Sequence, residues 1–303
     1  MAKSAIEIGS GFSGLSVSAS LAQQGYQVTV LEKHPTPGGR ARQMVAEGYT
    51  FDMGPSWYWM PDVFEKYFES FGRKVEDFYH LHKLDPSYYV YWGKSDYTAI
   101  PSGEKAVIEL FEKLDPGSGV RLKKFLSEAQ YKYDVGINKL VYKPGRSIRE
   151  FADIELITGV LKLDVFKSIA KHVRKVTNNK RLIQLMEFPV LFLGALPGNT
   201  PALYSLMNYA DMSLGTWFPQ GGMFEIVKAM YTVAEEQGVK FVFGADVQEL
   251  KIENNTIQAV KAGGKEYSSD VIVSSADYHF TETKLLPEKF RSYTDKYWDS
   301  RVM

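Results

Sequence analysis

The segment from Ala5 to Glu32 constrains the fold more than any other part of the chain. A short apolar strand runs into Gly9-Ser10-Gly11-Phe12-Ser13-Gly14, an Ala/Ser-rich helical stretch follows to Gly25, and Val28-Thr29-Val30-Leu31 makes a second strand ending in Glu32. Each glycine has a separate physical task. Gly9 allows the tight turn out of the strand, Gly11 lets backbone approach a pyrophosphate, and Gly14 lets helix and strand pack closely. Phe12 and Ser13 stand at the helix start, where unpaired N–H groups and the helix dipole favour negative charge. Glu32 falls about where such units place the acid that accepts hydrogen bonds from a ribose diol. The glycine spacing alone is a weak signal; the flanking strands, the small Ser18, Gly25 and the terminal acid make it a strand–helix–strand dinucleotide unit.

The first strand carries one misfit. A parallel strand buried on both faces should be continuously apolar, yet Ala5-Ile6-Glu7-Ile8 holds a carboxylate. A strand end that lets Glu7 reach water, or an altered residue, is the favoured reading over a catalytic acid, because a buried unpaired charge is costly. At 303 residues the chain has room for two domains. The 36 basic residues balance 36 acidic ones, so nothing global points to nucleic acid. With no cysteine, disulfides, thiolate zinc sites, a cysteine nucleophile and a cysteinyl-linked cofactor are excluded. The start of the chain has no charged-then-apolar leader and no window approaches the ~18 apolar residues of a membrane span, so a cytoplasmic protein with at most peripheral membrane contact is expected.

After Glu32 come Lys33, then Gly38-Gly39-Arg40, then Phe51-Asp52-Met53-Gly54-Pro55-Ser56-Trp57. These again set bare backbone against something flat or phosphorylated. Together with the first glycine motif and Glu32, they resemble the FAD-dependent carotenoid (phytoene-type) desaturases, within the wider group of amine oxidases and protoporphyrinogen oxidase. The resemblance implies FAD as cofactor, with Gly9, Gly11, Phe12, Ser13, Gly14, Glu32, Lys33, Gly38, Gly39, Arg40, Gly54, Pro55, Ser56 and Val247 around it. It also implies an α/β fold: a discontinuous Rossmann-like FAD domain with an inserted mixed strand/helix substrate domain and a helical subdomain.

Further along, helical spacing runs from Asp62 to Phe71, and a hairpin is expected from Ser87–Trp92 and Tyr97–Ile100. Its aromatics suit either an apolar tunnel or cross-strand packing. Helices are expected over Gly103–Leu114 and Val120–Leu140. Residues 150–215 read as helical, with Leu161, Val165, Ile169, Val173 and Val176 on one face and Lys167, Lys171, Arg174 and Lys175 opposite; this basic face is either solvated or laid on an anionic membrane. Phe188–Gly194 reads as a buried helix end followed by a turn, and the resemblance places it at an apolar substrate channel. Pro219-Gln220-Gly221-Gly222-Met223 matches a Pro-x-Gly-Gly-Met stretch of the same family. The α/β pattern then returns: a helix from Phe224 to Gln237, a strand Lys240–Phe243, a hairpin turning at Asn254-Asn255, and a strand Val271–Ala276. The resemblance sets the backbone of Val247 against adenine and the end of that last strand under the pyrophosphate.

The expected division is 1–78 and 216–280 for the FAD domain, 79–149 for the substrate domain, 150–215 for the helical subdomain, and 281–303 for the start of a further substrate-domain segment. Family members continue well beyond this length with a Gly-Asp flavin motif, so the chain is expected to hold the ADP half of FAD and to retain the whole cofactor weakly. The implied chemistry is removal of a hydride and a proton from a long apolar carotenoid precursor at the inner face of the cell membrane, with a quinone or oxygen as electron acceptor. No catalytic residue stands out, and the five histidines, His80-x-His82 included, show no metal-binding spacing. A flavin amine oxidase and a catalytically silent nucleotide-binding fragment are the alternatives.

Overall fold

The computed structural model describes residues 2–143, 147 and 167–301. The chain divides into two compact units, the first built from 1–58, 62–81 and 219–303 and the second from 59–61 and 82–218.

The first unit is an α/β layer. Strand β1 (Ser4–Ile8) leads through the glycine turn into helix α1 (Phe12–Gln23), and the chain returns as β2 (Gln27–Glu32). A four-stranded parallel sheet forms in the order Val271–Ser274, β1, β2, Lys240–Phe243. Two of its strands therefore come from the far end of the sequence, which makes the nucleotide unit discontinuous. Helix Phe224–Glu236 packs against α1. Its buried Ile226, Val227, Met230 and Val233 recur at helical spacing. On the opposite side Ile6, Ile8 and Leu31 meet Val247, Leu250, Val260 and Leu285. The Val247–Glu253 and Thr256–Ala262 strands turn at Asn254 and Asn255, both with positive φ, as a two-residue hairpin requires.

A ribbon of β3 (Gln43–Ala46) and β4 (Tyr49–Asp52) precedes helix α2 (Pro61–Glu69). Residues 281–301 group with this first unit. Leu285 enters its core, and the Glu282 carboxylate accepts bonds from Ser292 N, Tyr293 N and Tyr278 Oη.

In the second unit, helices α3 (Glu104–Leu114) and α4 (Ser118–Val135) form a core with Ile169, Val173, Val176, Leu182, Leu185 and Met186. The Tyr88–Tyr91/Tyr97–Ile100 hairpin splits its aromatics by strand alternation. Tyr88 faces inward, whereas Tyr89, Tyr91 and Tyr97 pack on one another at centroid distances of 5.6–6.5 Å on an exposed face, which is cross-strand packing. From 167 to 215 the described residues are helical in short pieces, Ile169–Val173 and Lys180–Glu187 among them. Leu161 and Val165 of the expected amphipathic face lie outside the described residues.

Candidate cofactor-binding site

The site is built at the carboxyl end of the parallel sheet, entirely within the first unit. Gly9 leaves β1 with φ +99°, a conformation that side chains resist. A β-carbon on Gly14 would lie 2.0 Å from the Gly9 carbonyl oxygen, so only glycine permits this approach of helix to strand. Helix α1 starts without a side-chain cap and without an acidic residue in its first turn. Its positive end is therefore uncompensated by the protein, which suits a phosphate.

The second glycine pair closes on the first. Gly38 N donates to Ser10 O at 2.9 Å, and a β-carbon on Gly39 would come within 3.1 Å of Gly11 Cα. Gly54, with φ +91°, lies so close to the Arg40 carbonyl that a β-carbon would be 2.2 Å from it. Residues 9–14, 38–40 and 54, separate in sequence, thus form one cradle of bare backbone. The Phe12 ring packs edge-on against Phe64 at 6.1 Å. Lys33, Arg40 and Ser56 are exposed, Pro55 is half-buried, and no contact draws these four side chains into the cradle.

Glu32 is buried and fixed from both sides. Its Oε2 accepts from Ser10 N at 2.8 Å and Ser10 Oγ at 2.7 Å, while Oε1 accepts from His34 N at 2.8 Å. A carboxylate offers about four acceptor positions, so Oε1 has capacity for a ribose hydroxyl while the rest of the group holds the glycine turn to the end of β2. The Glu32 carbonyl accepts from Ala245 N at 2.8 Å, which brings the segment leading into Val247 beside the same strand end. Val247 itself is buried.

One feature was missed in the sequence and another was misread. Asp52, part of the Phe51–Ser56 motif, caps the helix that follows the Gly221-Gly222 pair: its carboxylate accepts from Met223 N at 2.5 Å and Phe224 N at 3.3 Å. A β-carbon on Gly222 would lie 2.5 Å from Asp52 Oδ2, so the two motifs are complementary halves of one joint. The signal was legible only as two unexplained motifs. The other feature is Glu7, which does not reach water. It is fully buried, and Oε1 accepts from Ser275 N at 3.0 Å while Oε2 has no hydrogen-bond partner. Burial pushes its carboxyl up to about 8, so it is neutral at neutral pH. The same Ser275 N also reaches Ile8 O, and Ala276 N lies within 3.8 Å of a β-carbon built on Gly9, placing the Val271–Ser274 strand end under the turn.

In the second unit, Asp211 is a buried acid the sequence reading did not single out. Tyr88 Oη donates to it at 2.7 Å, and burial raises its carboxyl to about 6. Thr216 Oγ1 lies 3.4 Å from the same group and accepts from Trp59 Nε1 at 2.9 Å. Among the described residues no three His, Asp or Glu side chains are grouped to hold a metal.

The cradle fits FAD: glycine-only approaches, an uncapped helix start and a carboxylate with spare acceptor capacity match a pyrophosphate followed by a ribose. The family model for flavin-containing amine oxidoreductases matches residues 12–295. A carotenoid 3,4-desaturase of Haloarcula japonica is 35% identical over 97% of the chain and 60% of its own length. A zeta-carotene-forming phytoene desaturase of Myxococcus xanthus is 31% identical over 94% and 55%, and a 4,4'-diapophytoene desaturase of Staphylococcus aureus 28% over 93% and 56%. The chain thus spans between about half and three fifths of the length of these relatives. Among solved structures, an oxidoreductase from Methanosarcina mazei matches at TM-score 0.62 with 17% identity, covering 94% of this chain and 62% of that one. A putrescine oxidase matches at 0.56 with 17% identity, covering 89% and 57%. Fold, cradle and sequence similarity converge: the chain belongs to the flavin-containing amine oxidoreductases, a family of α/β FAD proteins.

Proposed function

We propose that this chain holds FAD for the desaturation of a long apolar carotenoid precursor, a reaction that turns a carbon–carbon single bond into a double bond. The observation that carries the reading is the 35% identity over nearly the whole chain to a carotenoid 3,4-desaturase. Other relatives at 28–31% are also named as desaturases, whereas the putrescine oxidase shares the fold at 17% identity.

Bound flavin supplies a hydride acceptor, and the neighbouring carbon of the substrate loses a proton. The work of the chain is to bind and orient. Backbone N–H groups from Gly11 to Gly14 would hold the pyrophosphate, Gly38 and Gly39 would keep that approach free of side chains, and Glu32 Oε1 would accept from a ribose hydroxyl. The backbone of Val247 would meet the adenine. A polyene offers nothing to hydrogen-bond, so its recognition rests on apolar burial. A quinone or oxygen receives the electrons, and the protein works peripherally on the inner face of the cell membrane. No helix among the described residues is long and apolar enough to cross a membrane.

The test is expression of the reading frame carrying this chain in cells that accumulate a phytoene-type lipid, alongside an assay with a primary amine. The expected result is new long-wavelength polyene absorption and no hydrogen peroxide from the amine. Peroxide release without polyene formation would transfer the assignment to amine oxidation.

A further inference from the structure

Large apolar side chains on a protein surface are ordinary when scattered and informative when contiguous. The sequence reading made Phe188–Gly194 a buried helix end; in the second unit only half of it is. Pro189 and Val190 are buried, but Leu191 is 64%, Phe192 49%, Leu193 40% and Leu196 69% exposed. The segment is a 3-10 turn from Phe188 to Leu193, closed by Gly194 in the left-handed region with its N–H on Leu191 O. A 3-10 turn repeats every three residues, so the apolar run cannot turn all its side chains inward as a longer buried helix would.

The exposed residues sit on a fixed base. Asn199 N and Thr200 Oγ1 both donate to Leu196 O at 2.9 Å. Ala170 N donates to Pro197 O at 3.2 Å, Ile169 N to Thr200 O at 2.9 Å and Ala202 N to Lys167 O at 2.7 Å. These bonds set residues 196–202 directly against 167–170. Lys171 and Lys175, both exposed, lie on the same segment, which the Arg174–Glu187 pair ties to the residue before the turn. Arg174 is tied to Glu187 at 2.6 Å, and Glu128 lies 3.7 Å from His172. Lys171, Arg174 and Lys175 outnumber those two carboxylates.

We propose that Leu191, Phe192, Leu193 and Leu196 are the side chains that enter an anionic bilayer, with Lys171 and Lys175 meeting its headgroups. The proposal rests on the peripheral-membrane reading above and adds the residues that penetrate. Exposed leucines with lysines on the adjoining segment complement both layers of such a surface, the acyl boundary and the charged headgroups. An apolar protein partner would complement the leucines alone.

Because the chain has no cysteine, one introduced thiol reports from one place. Phe192→Cys carrying an environment-sensitive fluorophore, and Val120→Cys as a label on the exposed surface of α4, are mixed with vesicles of equimolar phosphatidylcholine and phosphatidylglycerol. The expected result is a blue shift, and quenching by spin-labelled acyl chains, at position 192 and not at 120. Phe192→Asp combined with Leu191→Ser is expected to weaken vesicle partitioning at least ~10-fold. Lys171→Glu and Lys175→Glu together should weaken it by ~5-fold or more per lysine on these vesicles and leave pure phosphatidylcholine unaffected. Co-sedimentation without a shift at 192 would overturn insertion while leaving peripheral binding standing. No co-sedimentation at all would overturn both. A blue-shifted label before lipid is added would show the turn covered by protein, such as a second copy of the chain, and would also overturn insertion.

Discussion

Glu7 illustrates how one residue can be flagged by local pattern and still be misread. Pairing between Val273 and Val30 puts it inside the sheet, and Ser275 covers the strand end that would have led to water. Its folded-state pKa, about 8, lies above the ordinary 4.5, so the folded protein binds this proton more tightly than the unfolded chain. The stability this represents is complete below about 4.5 and is lost as pH rises through about 8. Glu7→Gln is therefore expected to raise the melting temperature by several degrees at pH ~9 and change it little at pH ~4. A difference that stays constant across this range would show that Glu7 does not hold the proton. Glu32 separates two roles in a similar way. Glu32→Ala removes the partner of Ser10 N, Ser10 Oγ and His34 N, and is expected to cost stability of about 1–3 kcal/mol as well as nucleotide affinity. Glu32→Gln keeps the shape but loses the charge, and should weaken ADP binding about tenfold by calorimetric titration while the fold survives. Unchanged ADP affinity in a folded Glu32→Gln protein would confine the residue to holding the turn.

At the scale of elements, the glycine cradle was readable because each glycine answers a local backbone requirement. Gly14→Ala would drive a β-carbon into the Gly9 carbonyl and push α1 off β1. Loss of measurable ADP binding, together with a lower melting temperature, is the expected outcome; an alanine variant that binds ADP normally would show that the turn can relax. The Asp52 cap was not readable, because its two halves lie 171 residues apart. Asp52→Ala leaves Met223 N and Phe224 N without their acceptor and is expected to cost about 1–2 kcal/mol by denaturant titration. A loss within a few tenths of a kcal/mol would mean water replaces the carboxylate. The Phe188–Leu193 turn was misread for another reason: hydrophobicity along a short run does not distinguish burial from exposure without the period of the helix that carries it.

At the scale of the whole molecule, the two compact units each have their own apolar core. Ligand that binds only the folded first unit raises the stability of that unit by mass action, by about 2.7 kcal/mol at a hundredfold excess over Kd. Calorimetry is expected to show two transitions, with ADP moving only the one that hydrogen exchange assigns to residues 1–58, 62–81 and 219–303. A single transition that moves as a whole would show that the units unfold together. By itself, the sequence determined the strand–helix–strand unit, its glycine positions, the acid at the end of β2 and the return of the α/β pattern near Phe224, because all of these follow from φ preferences and side-chain periods acting over a few residues. Only tertiary structure decided that residues 9–14, 38–40 and 54 form one cradle, that Asp52 caps a helix far along the chain, that Glu7 is sealed beneath Ser275, and that Leu191, Phe192, Leu193 and Leu196 are exposed. Each of those depends on which distant backbone closes over a side chain, and burial, unlike local conformation, is a property that no short stretch of sequence possesses alone.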